Sequence, residues 1–157
     1  MPLDDRHKAL IEDMGLALRS ELGARTLYPL LRRRTSDPEL RSVLERLAAD
    51  ERDLVPRLAA LIEGLGGRPR RRSFRRWLAS WAIAFGTLPF GLRFALRLSQ
   101  DAEAAVARWY GAYRDFFSDA GEVERARECD DFVRVKLLHA QWLETWVENS
   151  PFRRFGG

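Results

Sequence analysis

Apolar residues recur along this chain in alternating steps of three and four, the spacing that places side chains on one face of an α-helix. Four segments show this spacing and predict helices A (about 4–34), B (about 37–65), C (about 90–117) and D (about 122–149). The link "TSDPE" joins A to B, with Ser36 or Asp37 available to cap helix B, and "SDAGE" joins C to D. Because both links are short, each pair of helices should be an antiparallel hairpin.

The segment between the two hairpins, about 66–89, is too long for a tight turn and long enough to cross the length of a bundle. We therefore predict an all-α fold, a ferritin-like antiparallel four-helix bundle whose long crossover contains a short helix, as a single domain over 1–157. Pro29 and Pro56 fall inside helices A and B. Since the apolar spacing continues through both, they predict kinks and not helix ends.

Composition is that of one globular domain, with 46% hydrophobic and 32% charged residues in a chain of 157. Cys129 is the only cysteine, which excludes an intramolecular disulfide framework and a cysteine-based zinc site. The charged, helical start does not resemble a signal peptide. These features lead us to expect a cytoplasmic protein, and we also consider peripheral contact at the inner face of the membrane.

Ionisable residues interrupt the apolar face of every predicted helix at matching heights. Glu21 and Glu51 each lie about 15 residues from the A–B turn, which is roughly 22 Å at 1.5 Å per residue. Glu103 lies about 16 residues before the C–D turn, and Lys136 and His139 lie about 16 and 19 residues after it. The five side chains should therefore meet in the middle of the bundle.

Two interpretations of this cluster remain open from the residues alone. Three buried carboxylates require cations or protons, and carboxylates with an imidazole suit iron, manganese or zinc. Alternatively, Lys136 and a protonated His139 neutralise the glutamates in a buried salt-bridge cluster. A charged lysine has no lone pair to offer a metal, which favours the salt bridges.

Several of these residues occur in motifs of a known superfamily. Helix A contains "ELGARTLY" from Glu21 to Tyr28, helix B contains "DERDLVPRL" around Glu51, and an Arg-Pro, Trp and Gly pattern leads into Glu103. Over about 19–148 the chain resembles the ferritin-like carboxylate proteins, including rubrerythrin-like bundles, and most closely the demethoxyubiquinone hydroxylases. This resemblance implies that Glu21, Glu51, Glu103 and His139 correspond to ligands of a dinuclear iron centre.

Two ligand positions depart from the pattern of that family. Leu54 stands where the first Glu-x-x-His motif has its histidine, and Lys136 stands where the second has its glutamate. Four remaining ligands suit one ion better than two. We therefore expect a protein whose metal site is degenerate and binds metal weakly or not at all, so that no cofactor is present. Such a protein would bind a hydrophobic, quinone-like ligand, a membrane surface or a protein partner. The alternative is an iron- or manganese-dependent oxidoreductase or hydroxylase.

The crossover combines a basic run with an apolar run. Six arginines lie between residues 68 and 76, and 16 residues without a charge follow from Trp77 to Leu92. The apolar run is too short to span a bilayer and suits an interfacial segment, or else a crossover helix that covers the bundle. The residues expected at an anionic membrane surface are Arg68, Arg70, Arg71, Arg72, Arg75, Arg76, Trp77 and Trp81.

Other partners receive less support from the sequence. The same arginines could bind nucleic acid, but the sequence contains no recognised nucleic-acid-binding module. A homo-oligomer is compatible with the sequence. Tyr28, Tyr110 and Tyr113 lie near the inner faces of their helices, where they would serve as redox-active groups, as hydrogen-bond partners of the glutamates, or as packing.

Overall fold

Four long α-helices form the described part of the chain, residues 5–69 and 90–149, in the computed structural model. They are α1 (Asp5–Arg34), α2 (Pro38–Gly64), α3 (Leu92–Asp119) and α4 (Val123–Asn149). Their ends lie within about two residues of the predicted ends of helices A to D. The all-α, four-helix-bundle prediction is confirmed.

The residues that the sequence predicts to start and end helices are found at the links between the helices. The Asp37 side chain caps α2 by accepting a hydrogen bond from the Leu40 backbone N–H at 2.9 Å, and Pro38 occupies the first turn. After α2 the chain turns at Gly66, whose φ of 83° is a conformation that favours glycine. Pro29 and Pro56 lie inside α1 and α2, and both helices continue through them, as predicted.

The helices pack as two hairpins, α1 against α2 and α3 against α4. Contacts between the hairpins are much sparser and run between α1 and α3 and between α2 and α4. Two apolar clusters fill the bundle at different heights. One lies around Met14, Leu58 and Phe117, and the other around Leu31, Leu44 and Leu96. The layer between these clusters contains the ionisable residues.

The crossover prediction falls mostly on residues 70–89, which lie outside the described residues, as does the expected short helix within it. Arg68, at the start of the basic run, is exposed. The expected contacts from Arg70 to Trp81 lie outside the described residues as well. Within 5–69 and 90–149, none of the helices is both long and apolar enough to cross a membrane.

Candidate functional site

All four helices contribute to a buried ionic cluster at the middle of the bundle. It consists of Glu21 from α1, Glu51 from α2, Glu103 from α3, and Lys136 and His139 from α4. None of the five side chains is more than 4% exposed. The equal distances from the two turns that the sequence indicates therefore correspond to one common layer, which we call the ionic cluster.

Lys136 is the centre of this cluster. Its ammonium lies 2.5 Å from Glu21 Oε2 and 3.1 Å from Glu103 Oε2, and it donates a further hydrogen bond to Glu51 Oε1. The chain contains only two lysines, and the other, Lys8, is exposed. The compact ammonium thus contacts one carboxylate from each of the other three helices.

Two of the three predicted tyrosines hydrogen-bond to the glutamates. Tyr28 donates to Glu103 Oε1, and Tyr110 donates to Glu21 Oε1 at 2.5 Å. Burial first, and then the neighbouring glutamates, raise the pKa of both phenols well above the usual value, so both remain protonated donors. Tyr113 instead donates to Asp13 Oδ2 at 2.6 Å, away from the ionic cluster.

Asp50 is a member of the site that the sequence reasoning missed. Its Oδ2 lies 3.0 Å from His139 Nε2, and its side chain is 37% exposed, so it connects the buried imidazole with the protein surface. The other ring nitrogen, Nδ1, lies 3.4 Å from Glu103 Oε2 and 3.6 Å from Glu51 Oε1. The only sequence signal for Asp50 is its position directly before Glu51.

Protonation brings the cluster towards electrical balance. Burial alone would lower the pKa of His139, but the carboxylates of Glu103 and Glu51 outweigh burial and raise the pKa to about 9. Burial would raise the pKa of Glu103, but Lys136 and His139 lower it to about 2. Burial and then Glu51 raise the pKa of Glu21 well above the usual value. The raised pKa shifts Glu21 towards its neutral form, which reduces the excess of negative charge over the two cations.

The set of metal ligands is incomplete, and Lys136 already pairs with two of the carboxylates in it. Glu51, Glu103 and His139 offer ligand atoms within 4.8 Å of one another, a spacing that one ion would fit. However, the Lys136 ammonium already lies between the carboxylates that the ion would need. Leu54 is 2% exposed and places an apolar side chain where the first Glu-x-x-His motif would have its histidine. The residues therefore do not fit a dinuclear centre.

A cavity of about 460 Å³ opens between α1 and α3, where contacts between the two hairpins are sparse. Apolar side chains form most of its wall, and the half-exposed Leu16 and Trp109 lie at its outer rim. Its inner end contains buried residues of the site. They are Glu21, Tyr28, Glu103 and Lys136. The cavity therefore leads from the surface to the ionic cluster.

Comparison with known proteins finds no match: neither a protein-family model, nor a curated protein, nor a solved structure matches this chain. The resemblance to ferritin-like carboxylate proteins remains a prediction from the quoted motifs. A functional assignment therefore depends on the geometry of the site itself.

Proposed function

We propose that this protein binds an amphipathic small molecule in the cavity between α1 and α3 and performs no dinuclear metal chemistry. The observation that carries this proposal is the cavity itself, which has a mostly apolar wall and a buried polar inner end. Its volume of about 460 Å³ lies within the range of small-molecule sites, which have this same combination of apolar walls and a few polar groups.

Lys136 supports a binding role over an oxidative one. A dinuclear oxygen-activating centre needs the charge and open coordination positions of two metal ions. Here a lysine side chain supplies the cation, and it is part of the chain whether or not a metal is available. A lysine cannot change oxidation state, so the proposed role of the cluster is to stabilise the bundle and to form the polar end of the cavity.

A cavity-filling variant tests this proposal. Ala102 lines the cavity and is exposed, so Ala102→Trp should occupy the entry with little disturbance of the core. Ala112, which is exposed on the same helix and is not a lining residue, provides the control Ala112→Trp. Isothermal titration with a decyl-substituted benzoquinone should show binding to the parent and to the control, and at least tenfold weaker binding to Ala102→Trp. Equal affinities would place the ligand elsewhere, and binding to none of the three would count against the proposal.

The second candidate function is an oxidoreductase with one iron or manganese ion. The spacing of Glu51, Glu103 and His139 favours it. Protein produced in medium supplemented with both metals separates the candidates, because about one tightly held ion per chain would support the oxidoreductase. Metal content far below one per chain would support the binding protein.

Contact with an anionic membrane surface is a further proposal, resting on the basic and apolar runs of the crossover. Two described residues that follow the crossover support it: Phe90 is 70% exposed and Phe94 is 50% exposed, and their rings lie 5.4 Å apart. Exposed aromatic residues beside arginines suit the boundary between lipid headgroups and acyl chains. A cavity that receives an amphipathic molecule from a membrane would be consistent with this position.

A further inference from the structure

Arg19 is a partly exposed cation in the wall of the cavity between α1 and α3. It follows Leu16, which is half-exposed at the rim, by one turn of α1. The other charged lining residues lie at the buried inner end, and they are Glu21, Glu103 and Lys136. Lys136 pairs with both of those glutamates, so the cation at the inner end is already neutralised. Arg19 is therefore the lining cation that an incoming molecule can pair with.

The absence of a carboxylate partner distinguishes Arg19 from the other partly buried arginines of the described chain. Each of the other four pairs with a carboxylate: Arg32 with Glu45, Arg57 with Glu128, Arg114 with Asp130, and Arg125 with Glu122. The guanidinium of Arg19 makes no hydrogen bond or ion pair with any described residue. Burial takes water away from a charge, and an opposite charge compensates for that loss. Arg19 lacks this compensation within the described chain.

The nitrogens of the Arg19 guanidinium differ in accessibility. Nε is inaccessible to water and has no hydrogen-bond acceptor. The two terminal nitrogens also have no acceptor among the described residues, but they are not shut off from water as Nε is. They carry four of the five N–H groups of the side chain, and such a planar group can donate to both oxygens of one carboxylate. A ligand can thus pair with Arg19 through these two atoms without entering the ionic cluster.

Apolar side chains from both helices line the groove in which Arg19 lies. Leu16 and Leu27 line it on α1, and Val106 and Trp109 line it on α3. Leu16 and Leu27 are 11 residues apart, so the groove is roughly 16 Å long at 1.5 Å per residue. An alkyl chain along this groove would remove the half-exposed Leu16 and Trp109 from water, which favours binding.

Building on the proposed function, we infer that the ligand is an amphipathic monocarboxylate of the fatty-acid class, with its carboxylate on Arg19 and its alkyl chain along the groove. One guanidinium balances the single negative charge of a monocarboxylate. A neutral alcohol brings no charge to balance that of Arg19, and an alkyl ammonium is repelled by it. A phosphate monoester carries a charge of about −1.5 to −2 at pH 7, more than one arginine balances, and two glutamates lie further inside.

Four probes with the same chain length isolate the head group: decanoate, 1-decanol, decylamine and decyl phosphate. Isothermal titration of the whole chain at pH 7 should show that decanoate binds about tenfold more tightly than 1-decanol. This ratio is the lower end of the range for a hydrogen bond to a charged group, because Arg19 keeps some contact with water. Decylamine and decyl phosphate should both bind more weakly than decanoate.

Two arginine variants locate the carboxylate. Arg19→Met keeps a long unbranched side chain and removes the charge, so decanoate affinity should fall about tenfold while 1-decanol affinity stays the same. Arg25→Met is the matched control, since Arg25 is exposed on the same helix and does not line the cavity. Both affinities of the control should equal those of the parent. Arg19→Glu should reverse the preference, so that decylamine binds more tightly than decanoate.

The outcomes separate this inference from the proposed function. If decanoate binds no more tightly than 1-decanol, or if decyl phosphate or decylamine binds more tightly than decanoate, the monocarboxylate class is overturned while the binding function stands. If Arg19→Met weakens both probes equally or neither of them, Arg19 does not hold the carboxylate. If none of the four probes binds, the inference fails, and the benzoquinone titration above decides whether the proposed function fails with it. If Arg19→Met does not fold, the four probes on the parent protein still decide the inference.

Discussion

Replacing Lys136 with methionine tests whether the buried ammonium holds the glutamates of the bundle together. Methionine keeps a long unbranched side chain and removes the charge. The three carboxylates that lose this partner are at most 4% exposed, so water cannot take its place without a structural change. Breaking a buried ion pair by removing one partner costs about 3–5 kcal/mol. In a domain of 157 residues this corresponds to a fall in Tm of about 6–20 °C.

Lys8→Met provides the matched control, since Lys8 is the other lysine and pairs with Asp5 on the surface. Exposed ion pairs contribute about 0–1 kcal/mol, so the control should unfold at nearly the temperature of the parent. Urea denaturation followed by circular dichroism, together with calorimetry, measures both variants. If Lys136→Met loses no more stability than Lys8→Met, the ammonium does not neutralise the glutamates in solution.

Acid should reduce the difference in the free energy of unfolding between the parent and Lys136→Met. The folded-state pKa of Glu103 in the parent is lowered from 4.5 to about 2, so its ion pairs contribute stability above pH 4.5 and lose it as the pH falls towards 2. The variant lacks most of that contribution at every pH. The stability difference should therefore narrow between pH 4.5 and pH 2, and a constant difference would indicate that lost packing, not lost charge, causes the destabilisation.

Three further predictions concern metal, pH and the crossover. The double variant Leu54→His, Lys136→Glu should bind iron or manganese more tightly than the parent in equilibrium dialysis, and no gain would contradict the proposed ligand geometry. The pKa of His139 is raised from 6.5 to about 9, so its contribution to the free energy of unfolding is fully present below pH 6.5 and lost by pH 9. Denaturation at both pH values should show a loss of up to about 3 kcal/mol that His139→Gln reduces; the same loss in both proteins would exclude the imidazole as its source. Flotation with anionic liposomes should show binding that alanine at arginines 70–72 weakens, and unchanged or undetected binding would remove the membrane proposal.

The helices and the ionic cluster could be predicted because their signals are local and symmetric. Asp37 and Pro38 start α2, and glycines follow its end, so the helix ends needed no tertiary information. Glu21 and Glu51 are equally far from one turn, which places them at one height whatever the rotation of the helices. Height along a bundle follows from counting residues, and this is why five side chains from four helices could be assigned to one layer.

The partners of individual side chains could not be predicted in the same way, because they depend on helix rotation and on the distance between the hairpins. Asp50 lies off the inner face of α2 and meets His139 only because α2 and α4 are neighbours. Tyr113 shares the inner face of α3 with Tyr110, yet it bonds to Asp13, one level away from the cluster. The cavity lies between α1 and α3, and no residue pattern directly encodes the distance between these two helices.

The identity of residue 136 has a consequence for how the bundle folds. Carboxylates that await a metal repel one another until the ion arrives, whereas a lysine in the chain neutralises them as soon as the helices assemble. Lysine suits this position better than arginine, because a compact ammonium can pair with carboxylates from three helices while a planar guanidinium favours one or two carboxylates. The neutralising cation is thus supplied by the chain itself.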